Sequence, residues 1–124
     1  MYTWILVAAG GALGAMARYV LAINLVNAER QFPLPTFLAN IIGSFLMGVL
    51  FIIIVEKGLL SDEWRHFLMV GMLGAFTTFS TFSIEALGLL EYHSWQSAGI
   101  YITASIIAGL SAVFVGMYIT EKLI

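Results

Sequence analysis

The segment from Gly71 to Ser83 contains the residue types best suited to hold an ion inside a membrane. It combines two glycines with five hydroxyl residues, and this composition has a low propensity to form an unbroken helix. Unwinding there would free backbone carbonyls and amides, and a bilayer tolerates such groups only where protein buries them or where they line a polar cavity. Free carbonyls suit a hard cation such as sodium, whereas amides and hydroxyls suit an anion. The pattern predicts a helix broken near its middle, with an ion site at the break.

Three phenylalanines, Phe76, Phe79 and Phe82, recur at a spacing of three within this run, and we expect them to share one helical face. The edge of an aromatic ring carries partial positive charge, so an anion can pass against ring edges. Phenylalanines at helical spacing usually serve packing instead. Their alternation with hydroxyl residues favours the ion path, because a packing stripe has no need of hydroxyls.

Polar side chains in two other apolar segments have the spacing of a helical face. Thr36, Asn40 and Ser44 are four residues apart in one segment, and Tyr101 and Ser105 are four apart in another. An asparagine within a membrane commonly hydrogen-bonds across a helix interface, but its amide also offers two N–H donors to an anion. Both interpretations of Asn40 are open. The hydroxyls of Tyr101 and Ser105 are candidates for one polar track.

Two charged residues fall inside apolar segments. Arg18 follows Gly14 by one turn, in a first segment whose small residues predict close helix packing. A charge at depth is costly, so Arg18 must snorkel to the surface, pair with another group or line water. Glu85 follows Phe82 by three residues, and its possible roles are proton carrier, hydrogen-bond acceptor and vestibule charge.

The composition places the whole chain in the membrane class. Of its 124 residues 61% are hydrophobic and only 10% are charged, with a mean hydropathy of +1.01, whereas ordinary chains carry about 25% charged residues. The formal net charge of -2 indicates no nucleic-acid partner. Without cysteine or a histidine pair, neither a disulfide nor a transition-metal site is expected. The apolar segments contain no nucleophile–base set, so we do not expect an enzyme.

Four apolar segments are long enough to cross a bilayer, which takes roughly 20 residues. A polar break at residues 27–31 separates the first two segments, and Pro33 and Pro35 open the second. Ser61 has the residue type of an N-cap for the third. Because no basic run precedes the first segment, we expect its helix to be retained. The chain is expected to form a single four-helix membrane domain, residues 1–124, with spans at about 3–26, 33–55, 63–91 and 95–120.

The charges that flank these segments favour neither orientation strongly. Lys57, Arg65 and Lys122 fall on one side of the membrane, and Arg30 falls on the other with Arg18 near it. Under the positive-inside rule this distribution gives only a weak bias. Insertion in both orientations, as an antiparallel dimer requires, and a single fixed orientation are both open. A second copy would also bury polar groups that a thin bundle leaves uncovered.

Three stretches of the sequence resemble the CrcB/Fluc fluoride channel family. Residues 71–83, which run from glycines into Thr-Thr-Phe-Ser-Thr-Phe, are similar to the third-helix signature of that family. Residues 10–19 resemble its first-helix motif, and residues 36–45 resemble its second. The three motifs occur in order, and the resemblance covers nearly the whole chain.

The resemblance implies passive export of cytoplasmic fluoride through two pores of an antiparallel, dual-topology homodimer in the plasma (inner) membrane of a prokaryote. Fluoride, the lipid bilayer and a second copy are the implied partners. Asn40 would donate to fluoride, and Phe79 and Phe82 would line each pore with their ring edges. A structural sodium ion on the two-fold axis would be held by main-chain carbonyls of Gly74 and Thr77 from both copies. The remaining polar track would come from Thr36, Ser80, Thr81, Tyr101 and Ser105, with Arg18 and Glu85 at a vestibule or without an assigned role.

Two positions depart from the family pattern. Ala75 stands where members often have another glycine, and its methyl group is expected to be tolerated while it tightens the break. Gly109 stands one turn after Ser105, where a second hydroxyl of the fourth helix would be expected.

Two other functions fit a chain of this size. A small proton-coupled multidrug exporter is also an antiparallel dimer of four short helices, but it relies on a buried glutamate in the first helix. This sequence has no acidic residue there, and Glu85 is the only deep candidate. A non-transporting assembly subunit would use its glycines and asparagine only for packing, and it would give no ion flux when purified alone.

Overall fold

A computed structural model describes residues 2–25 and 32–124, and the regular structure within them is helical. We label the helices α1 to α5 in chain order. Within these described residues, four stretches are long and apolar enough to cross a membrane, which confirms the expected all-α architecture with four transmembrane spans. The helices are α1 (Tyr2–Leu25), α2 (Leu34–Glu56, π-helical over Phe51–Glu56), α3 (residues 62–76, π-helical over Arg65–Leu73), α4 (Phe79–Tyr92) and α5 (Trp95–Leu123).

The helix ends differ slightly from the expected positions. Pro33 is the N-cap residue of α2, and Pro35 lies within its first two positions. The last helix continues past Thr120 to Leu123, and the Lys122 ammonium lies 5.7 Å from the centre of the Tyr118 ring. This cation–π contact between residues one turn apart stabilises the last turn of the helix. The expected polar break at 27–31, with Arg30, lies outside the described residues.

The start of α3 corrects one detail of the sequence interpretation. Ser61 occupies the N-cap position with an extended backbone, but its hydroxyl does not cap the helix. The Trp64 amide instead donates to the Ser61 carbonyl at 3.1 Å. A main-chain turn therefore starts this helix.

Glycines bring the helices into close contact in two pairs. Gly10 and Gly14 of α1 face α3, where an added Cβ would collide with the carbonyls of Phe67 and Met72 respectively. Between α2 and α5, a Cβ at Gly48 would collide with the Val113 carbonyl. Such backbone-to-backbone packing is the main source of helix association in lipid. The close packing expected from the small residues of the first segment is present.

Between α3 and α4 two residues are not helical. Thr77 (φ -81°, ψ 156°) and Thr78 (φ -153°, ψ 124°) are extended, and α4 begins at Phe79. The Thr78 hydroxyl accepts a hydrogen bond from the Thr81 amide at 3.2 Å, which is an N-cap contact. Phe76 therefore lies at the end of α3 while Phe79 lies on α4. The expectation that Phe76 shares a helical face with Phe79 and Phe82 is wrong, because the extended pair separates their helices.

Candidate functional site

Asn40 pairs with the extended residue Thr78. The Asn40 amide Nδ2 donates to the Thr78 carbonyl at 3.0 Å, and the Thr78 amide donates to Asn40 Oδ1 at 2.8 Å. Asn40 lies about 9 Å along α2 from Leu34, within the apolar span. Both backbone groups of Thr78 are thus satisfied where water is scarce. The interhelical role considered for Asn40 is observed, and this pair leaves the second N–H of its amide unused.

A groove opens beside this pair, with a volume of about 270 Å³. Polar groups of both helices line it together with the Phe79 ring, which is 78% exposed in the single chain. Bare hydrocarbon cannot satisfy such polar groups. The groove therefore has the character of an ion or water site, and its lining consists of Asn40, Gly43, Ser44, Met47, Thr77, Thr78, Phe79 and Val113.

Hydroxyls cluster at the start of α4. The Thr78 hydroxyl lies 3.1 Å from that of Thr81, to which it donates, and 3.3 Å from that of Ser80. Thr81 accepts in this contact, so its own O–H remains available as a donor. Ser83 is not part of this cluster, because its hydroxyl donates to the Phe79 carbonyl at 2.8 Å. Thr78, at the centre of this cluster, was not singled out from the sequence, although a threonine three residues before Thr81 is a common N-cap signal.

Glu85 accepts two hydrogen bonds inside the bundle. Thr36 donates to Oε1 and Tyr101 donates to Oε2, both at 2.8 Å. The two donors are buried, and they replace water around a carboxylate at membrane depth. Of the three roles considered for Glu85, the structure shows that of hydrogen-bond acceptor. The hydroxyls of Thr36 and Tyr101 each donate their single proton to Glu85 and have none left for another acceptor.

Aromatic rings continue from the groove into the bundle. The ring centres of Phe79 and Phe82 are 5.7 Å apart, and those of Phe82 and Tyr101 are 5.2 Å apart, with the planes tilted by 44° and 45°. Tyr101 in turn meets Phe32 edge-on at 5.3 Å. The row connects the exposed ring of Phe79 with the Tyr101–Glu85 hydrogen bond.

Ser105 has a buried hydroxyl that finds no hydrogen-bond partner in the described part of the chain. It lies one turn after Tyr101 on α5. Buried hydroxyls are nearly always paired, so an unpaired one points to a ligand or water. One turn further, Gly109 provides no hydroxyl, and the Oγ of Ser44 lies 3.8 Å from where its Cβ would be.

Arg18 reaches the end of α3. Its Nε donates to the Ala75 carbonyl at 3.1 Å, in a partly buried position. A carbonyl at a helix C-terminus lacks its intrahelical donor, and a cation there is favourable. The arginine therefore pairs with backbone rather than snorkelling away from the bundle.

Comparison with known proteins places the sequence of this chain in a family. Residues 5–117 match the family described as "CrcB-like protein, Camphor Resistance (CrcB)". The chain belongs to this family. The match includes at least part of each of the four spans, and it confirms the resemblance drawn from the three motifs.

Three curated relatives of this CrcB-like chain are similar to it over most of their length. A protein of Saccharophagus degradans named fluoride-specific ion channel FluC is 52% identical over 121 residues, 98% of this chain and 91% of the relative. A protein of the same name from Magnetococcus marinus is 43% identical, covering 91% of this chain and 93% of the relative. FluC 1 of Methanosarcina acetivorans is 41% identical, covering 94% and 88%.

The main chain around Gly74 and Thr77 has carbonyls that fit a hard cation. In a continuous helix the Thr78 amide would donate to the Gly74 carbonyl, but it donates to Asn40. The Thr81 amide would likewise serve the Thr77 carbonyl, but it donates to the Thr78 hydroxyl. Both oxygens lose their helical donors, and oxygen ligands without competing donors suit sodium.

The sequence-predicted residues of this family member thus fall into three groups and one separate residue, Ser105. Asn40 and Phe79 meet at the groove, with Ser80 and Thr81 in the adjoining hydroxyl cluster. Thr36 and Tyr101 meet at Glu85, beside the Phe82 ring. Arg18, Gly74 and Thr77 lie at the end of α3, and Ser105 stands alone with its unpaired hydroxyl.

Proposed function

We propose that this chain is a fluoride-specific ion channel that lets cytoplasmic fluoride leave the cell passively. Its curated relatives bear the name of such a channel, and they are channels rather than enzymes by that name. The observation that carries the proposal within this chain is the groove at the Asn40–Thr78 pair. Among its lining residues the donors are amides and hydroxyls, and none is cationic.

Fluoride is small and strongly hydrated, so a pore must replace its water with many donors while binding it weakly enough for exit. The spare N–H of Asn40 and the hydroxyls of Thr81 and Ser105 supply such donors. The ring edges of Phe79 and Phe82 add partial positive charge. Thr36 and Tyr101 lie on the same polar track, but their O–H groups donate to Glu85, so they do not donate to the ion. Selectivity over chloride comes from the narrow bore between Asn40 and the two rings.

The channel works as an antiparallel homodimer with two pores. Its groove and the exposed Phe79 ring open to the outside of a single chain, at a depth where lipid would otherwise cover polar groups. A second copy in the opposite orientation closes the groove into a pore on each side of a two-fold axis. The third span then serves as a broken helix whose extended residues face the partner. The proposed location of this dimer is the plasma membrane of a prokaryote.

A structural sodium ion would join the two copies at the dimer axis. The carbonyls of Gly74 and Thr77, freed from helical hydrogen bonds, are the groups that would hold it. The ion would supply positive charge to the ends of the two α3 helices. Arg18, on the Ala75 carbonyl, supports the same helix end.

The experiment that tests this function is fluoride efflux from liposomes that contain the purified protein. A fluoride electrode follows release, and a chloride electrode follows a parallel sample. Fast loss of fluoride with chloride retained is the expected result, with protein-free liposomes as the control. Retention of fluoride by liposomes that hold folded dimers, verified by their elution volume, would overturn the proposal.

A further inference from the structure

The polar face of α2 extends one turn beyond Asn40, to Ser44. The helices α2 and α5 lie side by side in register: Thr36 and Tyr101 meet at Glu85, and further along Gly48 meets Val113. Between these levels Ser44 lies beside Gly109. Residues of α2 and α5 that face each other therefore lie at the same height, and successive pairs are one turn apart. Ser44 is one turn beyond the height of Asn40 and Ser105.

The Ser44 hydroxyl is positioned for an occupant of the groove. Ser44 lines the groove together with Asn40, Thr78 and Phe79, about 15 Å along α2 from Leu34 and so near the middle of the bilayer. Among the hydrogen bonds between described residues, none uses its hydroxyl. A helical serine or threonine commonly donates to the carbonyl four residues earlier. Ser83 and Thr120 do so here, at 2.8 and 2.7 Å.

Gly109 leaves room beside that hydroxyl. A Cβ at position 109 would lie 3.8 Å from Ser44 Oγ, which is ordinary van der Waals contact. At this level α5 therefore offers neither a donor nor a side chain that blocks the approach. The hydroxyl comes from α2 alone.

We propose that Ser44 is a further fluoride-binding residue, which donates its hydroxyl to the ion one turn beyond Asn40. The inference rests on the proposed channel function and deepens it, because it extends the path along α2 toward Met47. The space at Gly109 allows the ion, or the water it still carries, to reach the Ser44 hydroxyl.

The test compares fluoride efflux of four variants with that of the unchanged protein. Ser44→Ala should lower the flux about tenfold, which corresponds to the loss of one hydrogen bond at the rate-limiting barrier. Adding Gly109→Ser to Ser44→Ala should restore most of the flux, since a hydroxyl returns to the same space. Adding Gly109→Ala should not restore it. Ser111→Ala, on the exposed part of α5, is the matched control and should leave the flux unchanged.

Each outcome separates binding from packing. If serine but not alanine at position 109 restores the flux, a hydroxyl in this space binds fluoride, as proposed. If both restore it equally, or if neither does, the proposal is overturned. A normal flux in Ser44→Ala also overturns it. If Ser44→Ala does not yield folded dimers, the test compares Ser44→Thr with Ser44→Val. These two side chains have matched shapes and differ by the hydroxyl, so equal flux in the two variants overturns the inference. Absence of fluoride flux in the unchanged protein would instead overturn the proposed function.

Discussion

The side chain of Asn40 in α2 forms two hydrogen bonds with the backbone of Thr78, at 3.0 Å to its carbonyl and at 2.8 Å from its amide. A side chain of one span thereby replaces the helical partners that an extended residue of another span has lost. Because water is scarce at this depth, each unsatisfied backbone group would be costly. The pair fixes the shape of the chain at the point where the groove opens.

Asn40→Ala is expected to abolish fluoride flux and to destabilise the fold by about 2–4 kcal/mol, because two backbone groups of Thr78 lose their partners. Asn40→Asp still accepts from the Thr78 amide but repels the Thr78 carbonyl and fluoride, so it should also lose flux. Efflux and thermal unfolding in detergent measure the two effects. Asn24→Ala is the control, since the Asn24 amide donates within α1 and lies exposed. Flux in Asn40→Ala equal to that of the control would refute the role of the pair.

Phe79→Ile and Phe82→Ile should each lower fluoride flux strongly while dimers still form. Isoleucine retains apolar bulk but has no positive ring edge for the anion. Phe114→Ile provides the comparison, because Phe114 is 67% exposed and stacks on Tyr118 away from the groove. The measurement is efflux from liposomes at matched amounts of dimer. Unchanged flux in both groove variants would show that ring edges do not line the path.

Glu85→Gln should keep most of the fluoride flux, with a decrease of no more than roughly fivefold, or about 1 kcal/mol. Glutamine retains one side-chain oxygen that can accept a hydrogen bond from the hydroxyls that now donate to Glu85. A passive channel also needs no proton carrier. A proton-coupled exporter would instead lose transport entirely. Efflux with and without a pH gradient distinguishes these outcomes, and Glu91→Gln, at the exposed end of α4, is the control.

Gly14→Ala should destabilise the protein by about 1–3 kcal/mol through overpacking. The added methyl group would collide with the Met72 carbonyl, and a backbone atom in a packed helix cannot move aside easily. Gly88→Ala is the matched control, because nothing lies within 4 Å of its added Cβ. Thermal unfolding in detergent is the measurement. Equal stability of the two variants would contradict the close approach of α1 to α3.

The four spans followed from the sequence because a bilayer requires long apolar segments, and residues such as Gly10 and Gly14 indicated close packing. Spacing along one helix does not show which other helix it faces. For that reason the contacts of Glu85 with Thr36 and Tyr101 were not foreseen, nor was that of Arg18 with Ala75. The separation of Phe76 from Phe79 was missed because the predicted break in the helix was not located between these two residues.

The most direct measurement of the central claim is the reversal potential of current through the purified protein in a planar bilayer, with opposed fluoride and chloride gradients. A passive fluoride-specific channel reverses at the fluoride equilibrium potential, and neither the chloride nor the proton gradient shifts that value. A reversal potential that follows chloride, or that moves when a pH gradient is imposed, would contradict the account.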